Sequence, residues 1–149
     1  MITMTVRRQA AAPRERVFAV ATDFAHGAET IEAIDKIEVL TSGPVGVGTR
    51  FRETRTMFGR PATEEMTVSA FDPPRSYALS AESHGCRYET VLSFADKDGG
   101  TELETHFTAQ PLTFTAKLMS VLMRAMTKKM AVICAKDLED MARAAEKKA

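Results

Sequence analysis

The spacing of apolar residues changes period once along the chain. From residue 2 to residue 109 apolar and polar positions mostly alternate, as in Ile2, Met4 and Val6, and this alternation predicts β-strands. From Leu112 to about Ala145 the period becomes that of an α-helix with a methionine-rich face. Strands followed by one long amphipathic helix predict an α+β fold, in which a sheet curves around that helix.

Turn residues divide the first part of the chain into strands and one or two short helices. Pro13 suits the first position of a helix that runs to about Asp23, and residues 24–32 form a loop or a second short helix. After the first strand at residues 2–7, short turns predict an antiparallel meander of six further strands, at 34–41, 49–58, 62–71, 76–83, 87–95 and 101–109.

The methionine stripe of the last helix is either core or the wall of a ligand cavity. Methionine is unbranched and flexible, so a wall of methionines accepts ligands of varied shape. Asp137 falls within the arc of the stripe and Leu138 lies off it, so we expect the buried part of the helix to end near Cys134. The stripe consists of Leu112, Met119, Leu122, Met123, Met126, Met130, Ile133 and Met141.

Composition narrows the class of protein. A chain of 149 residues with 44% hydrophobic residues fits one domain, residues 1–149, with a full core. A formal net charge of zero argues against nucleic acid as a main partner, because phosphate binding needs a basic excess. We find no apolar run long enough for a signal peptide or a membrane span, and therefore expect a cytoplasmic protein.

The sequence contains no recognisable motif for a cofactor or a metal ion. Cys86 and Cys134 form no CxxC pair and have no histidine at metal-ligand spacing, so we expect two reduced thiols. The glycine-rich segment at 42–48 lies between strands and lacks the Lys-Ser/Thr of a phosphate loop. We therefore expect no cofactor and no metal.

Four segments together resemble a known superfamily. They are Ala12-Pro13-Arg14-Glu15-Arg16-Val17-Phe18, Ile37-Glu38-Val39-Leu40 leading into Gly46-Val47-Gly48-Thr49-Arg50-Phe51, Phe71-Asp72-Pro73-Pro74-Arg75, and Gly99-Gly100-Thr101-Glu102-Leu103. Over essentially the whole chain they resemble the START-like superfamily (SRPBCC, or Bet v 1-like), and within it the bacterial polyketide cyclase/dehydrase and lipid-transport group. The resemblance implies a helix-grip fold: seven antiparallel strands around a C-terminal helix, two short helices after the first strand, and a deep apolar cavity. It also implies ligands such as lipids, polyketides or quinones.

Strand parity sorts the side chains that would face such a cavity, because alternate residues of a strand point to opposite sides of the sheet. With the more apolar face taken as inward, the predicted ligand-binding residues are Phe51, Glu53, Arg55, Glu64, Met66, Leu79, Tyr88, Leu92 and Phe107 from the strands, and Met119, Met123, Met126 and Met130 from the helix.

An inward charge cluster is the sharpest chemical feature. A two-residue turn at Gly59-Arg60 would place Arg55 opposite Glu64 and Glu53 opposite Met66. Two buried carboxylates beside a guanidinium suit general acid catalysis, or the guanidinium could bind a ligand carboxylate or phenolate. Alternatively, the cluster is a solvated pair at the cavity rim.

Three functions remain open. The first is a carrier or sensor that binds a small hydrophobic molecule. The second is a polyketide aromatase/cyclase or dehydrase, in which Arg55 polarises a carbonyl while Glu53 or Tyr88 moves the proton. The third is a protein-interaction module or homodimer, suggested by Phe114, Val121 and Val132 on the side of the helix away from the methionines. Whether the protein is an enzyme stays undecided at this point, with binding preferred.

Overall fold

The computed structural model describes residues 1–147, except for the side chains of Leu122, Met123 and Met126. Its strands form one antiparallel sheet in the order β1-β7-β6-β5-β4-β3-β2. The predicted α+β helix-grip architecture is confirmed. The elements in chain order are β1 (Ile2–Ala10), α1 (Arg14–Thr22), a 3₁₀ turn (Phe24–His26), α2 (Gly27–Thr30), β2 (Ile34–Val39), β3 (Arg50–Met57), β4 (Arg60–Asp72), β5 (Ser76–Ser83), β6 (Cys86–Lys97), β7 (Gly100–Pro111), α3 (Phe114–Met123), a second 3₁₀ turn (Arg124–Met126) and α4 (Thr127–Lys147).

Three hairpins of the sheet turn on a dipeptide that ends in glycine. The turn residues are Phe58-Gly59, His84-Gly85 and Asp98-Gly99, and all six have positive φ. A two-residue turn with positive φ at both positions matches the twist of the flanking strands, and glycine adopts that conformation without steric cost. The first hairpin therefore turns at Phe58-Gly59, one residue before the predicted Gly59-Arg60.

The short helices cover one end of the concave sheet face. In α1 the side chains of Val17, Phe18, Val20 and Ala21 are buried, as its helical spacing predicts. Phe18 packs edge-on against Tyr77 and Phe94, with ring centroids 6.1 Å and 5.6 Å away. This aromatic group fills that end of the interior and leaves the rest of the concave face for the cavity described below.

The C-terminal helix is interrupted, in contrast to the continuous helix predicted from Leu112 to Ala145. A 3₁₀ turn at Arg124–Met126 separates α3 from α4. A 3₁₀ turn winds at 3.0 residues per turn instead of 3.6, so it rotates the inward face of the following helix relative to that of α3. The outward side chains of α3 include exposed Phe114, Leu118 and Val121.

The buried part of α4 is its C-terminal half, and the expectation that it ends near Cys134 is wrong. Leu138, Met141, Ala142 and Ala145 are all buried, and Leu138 has no exposed surface. The predicted arc assumes one unbroken helix, so it combines residues of α3 with residues of α4 and places Leu138 outside the buried face.

Polar contacts hold this half of α4 in place. The Ala11 backbone N–H donates to Glu146 Oε2 over 2.8 Å, and Glu32 N–H donates to Asp140 Oδ2 over 3.1 Å. Both contacts satisfy backbone donors in loops next to the sheet edges, so α4 is anchored at both edges of the concave face. Among the described residues, no helix has the length and apolar character needed to cross a membrane.

Candidate ligand cavity

A cavity of about 370 Å³ lies between the concave face of the sheet and α4. This volume falls in the usual range of small-molecule sites. Its walls come from the inward residues of all seven strands, the end of α1 with the segment after it, and residues 127–141 of α4. Two lining residues, Asp23 after α1 and Phe58 at the tip of the β3–β4 hairpin, are exposed and show where the cavity reaches the surface.

Strand parity places the predicted strand residues correctly. The structure finds in the cavity wall every strand residue predicted to face a ligand, namely Phe51, Glu53, Arg55, Glu64, Met66, Leu79, Tyr88, Leu92 and Phe107. This agreement concerns their position, and their role in binding stays a prediction.

The helix residues agree less well. Met130 lies in the wall, together with Ile133, Cys134 and Met141. Met119 is half exposed on α3 and is not among the lining residues, because the 3₁₀ turn separates α3 from the helix that covers the sheet. The side chains of Met123 and Met126 lie outside the described residues.

The polar end of the cavity is an ion-pair network between a strand and a helix. Arg55 Nε lies 3.0 Å from Glu53 Oε2 on the same face of β3, and Arg55 Nη1 lies 3.0 Å from Asp137 Oδ2 on α4. The three side chains are only 14%, 10% and 17% exposed, in the order Arg55, Glu53, Asp137. The alternative of a solvated pair at the rim therefore does not apply to this network.

The predicted cross-strand partners are wrong, although the inward parity is right. Arg55 lies opposite Ala62, and Glu53 lies opposite Glu64. The turn at Phe58-Gly59 shifts the register by two residues, which changes every pair without turning a side chain to the other face. Arg55 consequently takes its second carboxylate from the helix, at Asp137.

Burial and mutual charge set the protonation behaviour of this network. Burial raises the pKa of the Asp137 carboxyl to about 6, and Arg55 opposes that rise only in part. Burial also acts to lower the pKa of Arg55, but the charges of Glu53 and Asp137 outweigh it and raise the pKa above its ordinary value. Arg55 therefore remains a cation, while Asp137 changes charge just below neutral pH.

Two tyrosines face the interior at different depths. Tyr88 stacks on Phe107 with ring centroids 6.0 Å apart, and burial, with Cys86 as the next cause, raises the pKa of Tyr88 to about 12. Tyr77 is 2% exposed, and its hydroxyl donates to the Ala21 carbonyl over 3.4 Å. Burial, followed by the charges of Glu53 and Asp137, raises the pKa of Tyr77. Both hydroxyls are neutral at physiological pH.

The described residues contain no group of three or more His, Cys, Asp or Glu side chains that could hold a metal ion. Cys86 and Cys134 form no disulfide bond, and Cys134 lies in the cavity wall. Burial, followed by the charge of Asp137, raises the pKa of Cys134 to about 11. A thiol that stays protonated is a poor nucleophile, so the chemistry in view is that of the carboxylates and the guanidinium.

Among the cavity residues that the sequence does not predict, three matter most for the chemistry or the entrance of the site, and each is missed for a different reason. Tyr77 has the same parity as Leu79, but the inward set on that strand began at Leu79. Phe58 was placed in the β3 strand, whereas it is the first residue of the hairpin turn. Asp137 falls within the predicted helix arc, but the pattern predicts that burial ends near Cys134, whereas the structure buries Asp137 as the partner of Arg55.

The sheet order, the grip of the C-terminal helix and the apolar cavity between them define a START-like, Bet v 1-like helix-grip protein. The chain belongs to the polyketide cyclase/dehydrase and lipid transport family, whose model matches residues 1–146. No curated protein matches the chain in sequence.

Solved structures share this fold at low sequence identity. The di-domain ARO/CYC StfQ from the steffimycin biosynthetic pathway superposes with a TM-score of 0.82 at 11% identity, over 98% of this chain and 51% of that one. TTHA0849 from Thermus thermophilus gives 0.71 at 20% identity over 96% and 99% of the two chains. Ara h 8.0201 gives 0.70 at 17% identity over 97% of each. At these identities the likeness shows the fold alone.

Proposed function

We propose that the protein binds a small, mainly apolar molecule in the cavity between the sheet and α4, as a carrier or a sensor. The observation that carries this proposal is the cavity itself, which holds about 370 Å³ and places the Glu53–Arg55–Asp137 network in a largely apolar wall. Binding sites for small molecules usually combine an apolar wall with a few convergent polar groups that orient the ligand. Membership of a family named for cyclases, dehydrases and lipid transport supports the same proposal.

Native mass spectrometry of the protein purified from its own source tests this proposal. A co-purified small molecule, released by organic solvent and absent from the denatured protein, is the expected result. A panel of fatty acids, quinones and polyketide-like aromatics should then include compounds that bind the purified protein. No co-purified molecule together with no binding from the panel would contradict the proposal.

A matched pair of variants localises the binding. Thr90 lies in the cavity wall on β6, and its neighbour Glu89 is exposed on the opposite face. We expect Thr90→Phe to fill the cavity and abolish binding, whereas Glu89→Phe should leave binding intact. Circular dichroism must show that both variants are folded, because a large side chain in a packed wall can destabilise the protein.

A second candidate function, polyketide cyclisation or dehydration, is favoured by one observation. Asp137 titrates near neutral pH while it contacts a permanent cation in the cavity wall. An acid with such a pKa is suited to moving a proton, and a neighbouring guanidinium stabilises the negative charge of an enolate oxygen. This assigns proton transfer to Asp137, where the sequence suggested Glu53 or Tyr88, and keeps Arg55 as the group that polarises the carbonyl.

Turnover of a poly-β-ketone substrate separates the two candidates. If the protein is a cyclase or dehydrase, Arg55→Ala and Asp137→Asn should each reduce kcat strongly, and Glu53→Gln should weaken it by disturbing Arg55. A substrate that binds the cavity and is released unchanged would support the carrier and contradict the enzyme.

A further inference from the structure

The charged side chains that line the cavity are predominantly acidic. Among the described residues, the lining has the carboxyl groups of Asp23, Glu53, Glu64 and Asp137, and Arg55 as its cation. Like charges repel strongly where water is excluded, so an excess of carboxylates disfavours an anionic ligand. The charge of the cavity wall therefore limits which ligands can bind, in addition to the limit set by the cavity volume.

Arg55 offsets this effect only in part, because two carboxylates already neutralise its charge. Its Nε and Nη1 atoms each lie 3.0 Å from a carboxylate oxygen, on Glu53 and Asp137 respectively. A carboxylate or phosphate ligand at Arg55 would either place a third negative charge beside these two carboxylates, or displace one of them and leave it buried without a counter-ion. Breaking a buried ion pair in this way is strongly unfavourable.

Asp137 also presents an acceptor that the protein does not use. Its Oδ2 atom binds Arg55, whereas Oδ1 is buried and has no hydrogen-bond partner among the described residues. A buried acceptor without a donor is costly, and a donor supplied by a ligand would recover that cost. Asp137 lines the cavity and 17% of its side chain is exposed, so its carboxylate faces a ligand there. The terminal torsion of an aspartate is soft, and a small rotation of the carboxylate would turn the buried Oδ1 atom toward a ligand donor.

We propose that this end of the cavity selects ligands by their hydrogen-bond donor: it takes an apolar molecule with an alcohol, phenol or amine head whose donor binds Asp137 Oδ1, and it rejects carboxylates and phosphates with the same apolar body. This selection rests on the proposed function and narrows the ligand class within it. Free fatty acids would then be poor ligands, and hydroxylated or amine-bearing apolar molecules good ones.

The selection depends on pH, because a protonated Asp137 loses its negative charge and gains a donor. The titratable and charged groups that face Asp137 are Glu53 and Arg55 on β3, Tyr77 on β5, and Cys134 and Asp140 on α4. Tyr77 and Cys134 stay neutral, since burial raises both pKa values, and Arg55 stays charged. Below about pH 6 Asp137 is mostly protonated, so the rejection of acids should weaken there.

Three naphthalene ligands with one apolar body test the proposal by displacing the uncharged dye Nile red from the purified protein. They are 2-naphthylmethanol, its methyl ether and 2-naphthoate, which carry a donor, no donor and a negative charge respectively. At pH 8 the alcohol should bind at least about tenfold more tightly than the acid and more tightly than the ether. At pH 5 the gap between alcohol and acid should shrink.

Asp137→Asn should reduce the ratio of the affinity for the alcohol to the affinity for the acid about tenfold. Glu139→Gln, an outward change on the same helix, should leave this affinity ratio unchanged. If the acid binds the unmodified protein as tightly as the alcohol at pH 8, or if Asp137→Asn binds normally and keeps the ratio, the donor selection is overturned while the cavity remains a binding site. The unmodified protein decides the first comparison even if a variant fails to fold. If neither the dye nor any naphthalene binds the folded protein, the proposed function is overturned together with this inference.

Discussion

Arg55 on the third strand and Asp137 on the last helix form a buried ion pair, with Arg55 Nη1 and Asp137 Oδ2 3.0 Å apart. The pair joins the two elements that enclose the cavity, and Glu53 completes it from the strand side. Charged groups are costly to bury, and a network of two carboxylates around one guanidinium is a weak source of stability. Its position in the wall of an apolar cavity is more readily explained by what it does to a ligand.

Removal of Arg55 should destabilise the protein far more than removal of a neighbouring surface arginine. Arg55→Met leaves two buried carboxylates without a counter-ion, so we expect the free energy of unfolding at pH 7.5 to fall by about 3–5 kcal/mol. Arg52→Met is the matched control, because Arg52 is 46% exposed on the same strand and its ion pair with Glu38 is solvated. That change should cost about 0–1 kcal/mol. Urea denaturation measures both, and equal losses would contradict a buried role for Arg55.

The titration of Asp137 should appear in the pH dependence of stability. Folding raises the pKa of Asp137 from 3.8 to about 6, so the folded chain binds this proton more tightly than the unfolded chain. The resulting stabilisation is complete below about pH 3.8 and is lost as the pH rises through about 6. The unfolding free energy of the unmodified protein, minus that of Asp137→Asn, should therefore fall by about 3 kcal/mol from acid to neutral pH.

Urea denaturation between pH 4 and pH 7.5 measures this difference, and the other titrating groups largely cancel because both proteins contain them. Glu139→Gln, a change at a partly exposed position on the same helix, should show no such trend. A difference that stays constant, or that increases with pH, would show that Asp137 does not titrate as its burial implies.

Strand parity in the sequence predicted which strand residues face the cavity. The sequence did not predict the features that depend on turn geometry and on the rotation of the helix, namely the partner of Arg55 and the buried face of α4. Parity needs only the alternation of residues, so the inward faces of β3, β4, β6 and β7 followed from the pattern. The partner of Arg55 required the register of one hairpin, and that register depends on which of two adjacent dipeptides forms the turn. Glycine in the second position would have indicated Phe58-Gly59, as it does at His84-Gly85 and Asp98-Gly99.

The helix errors have a different physical origin. A continuous apolar stripe from Leu112 to Met141 fits one straight helix, and nothing in the composition of Arg124–Met126 marks a 3₁₀ turn. Packing of α4 against α1 and the sheet decides which of its residues are buried, and this tertiary effect is absent from the periodicity of one segment. Asp137 was therefore visible in the sequence, but its partner and its burial were not.

Substitution of Phe58 by asparagine should weaken ligand binding with little effect on stability, whereas the same substitution of His84 should affect stability alone. Phe58 and His84 have φ of 51° and 52°, and each precedes a glycine in a two-residue turn. Asparagine adopts this conformation more readily, so His84→Asn should stabilise the protein by roughly 1 kcal/mol and leave ligand affinity unchanged. Phe58→Asn gains the same backbone relief but loses the packing of a half-exposed ring in the cavity wall. We expect it to be nearly neutral in stability and to bind Nile red several-fold more weakly, and unchanged affinity would contradict a place for Phe58 in the site.

A core substitution tests which face of the last helix is buried. Leu138 has no exposed surface, whereas Val132 on the same helix is 69% exposed. Leu138→Ala removes buried methyl groups and leaves a cavity, so it should reduce the free energy of unfolding by about 2–5 kcal/mol. Val132→Ala should change it by less than about 0.5 kcal/mol, because the side chain already contacts solvent. Chemical denaturation of the two variants distinguishes the observed helix from the continuous stripe predicted by the sequence, in which Leu138 lies off the buried arc. Comparable effects at the two positions would mean that α4 does not pack through its C-terminal half.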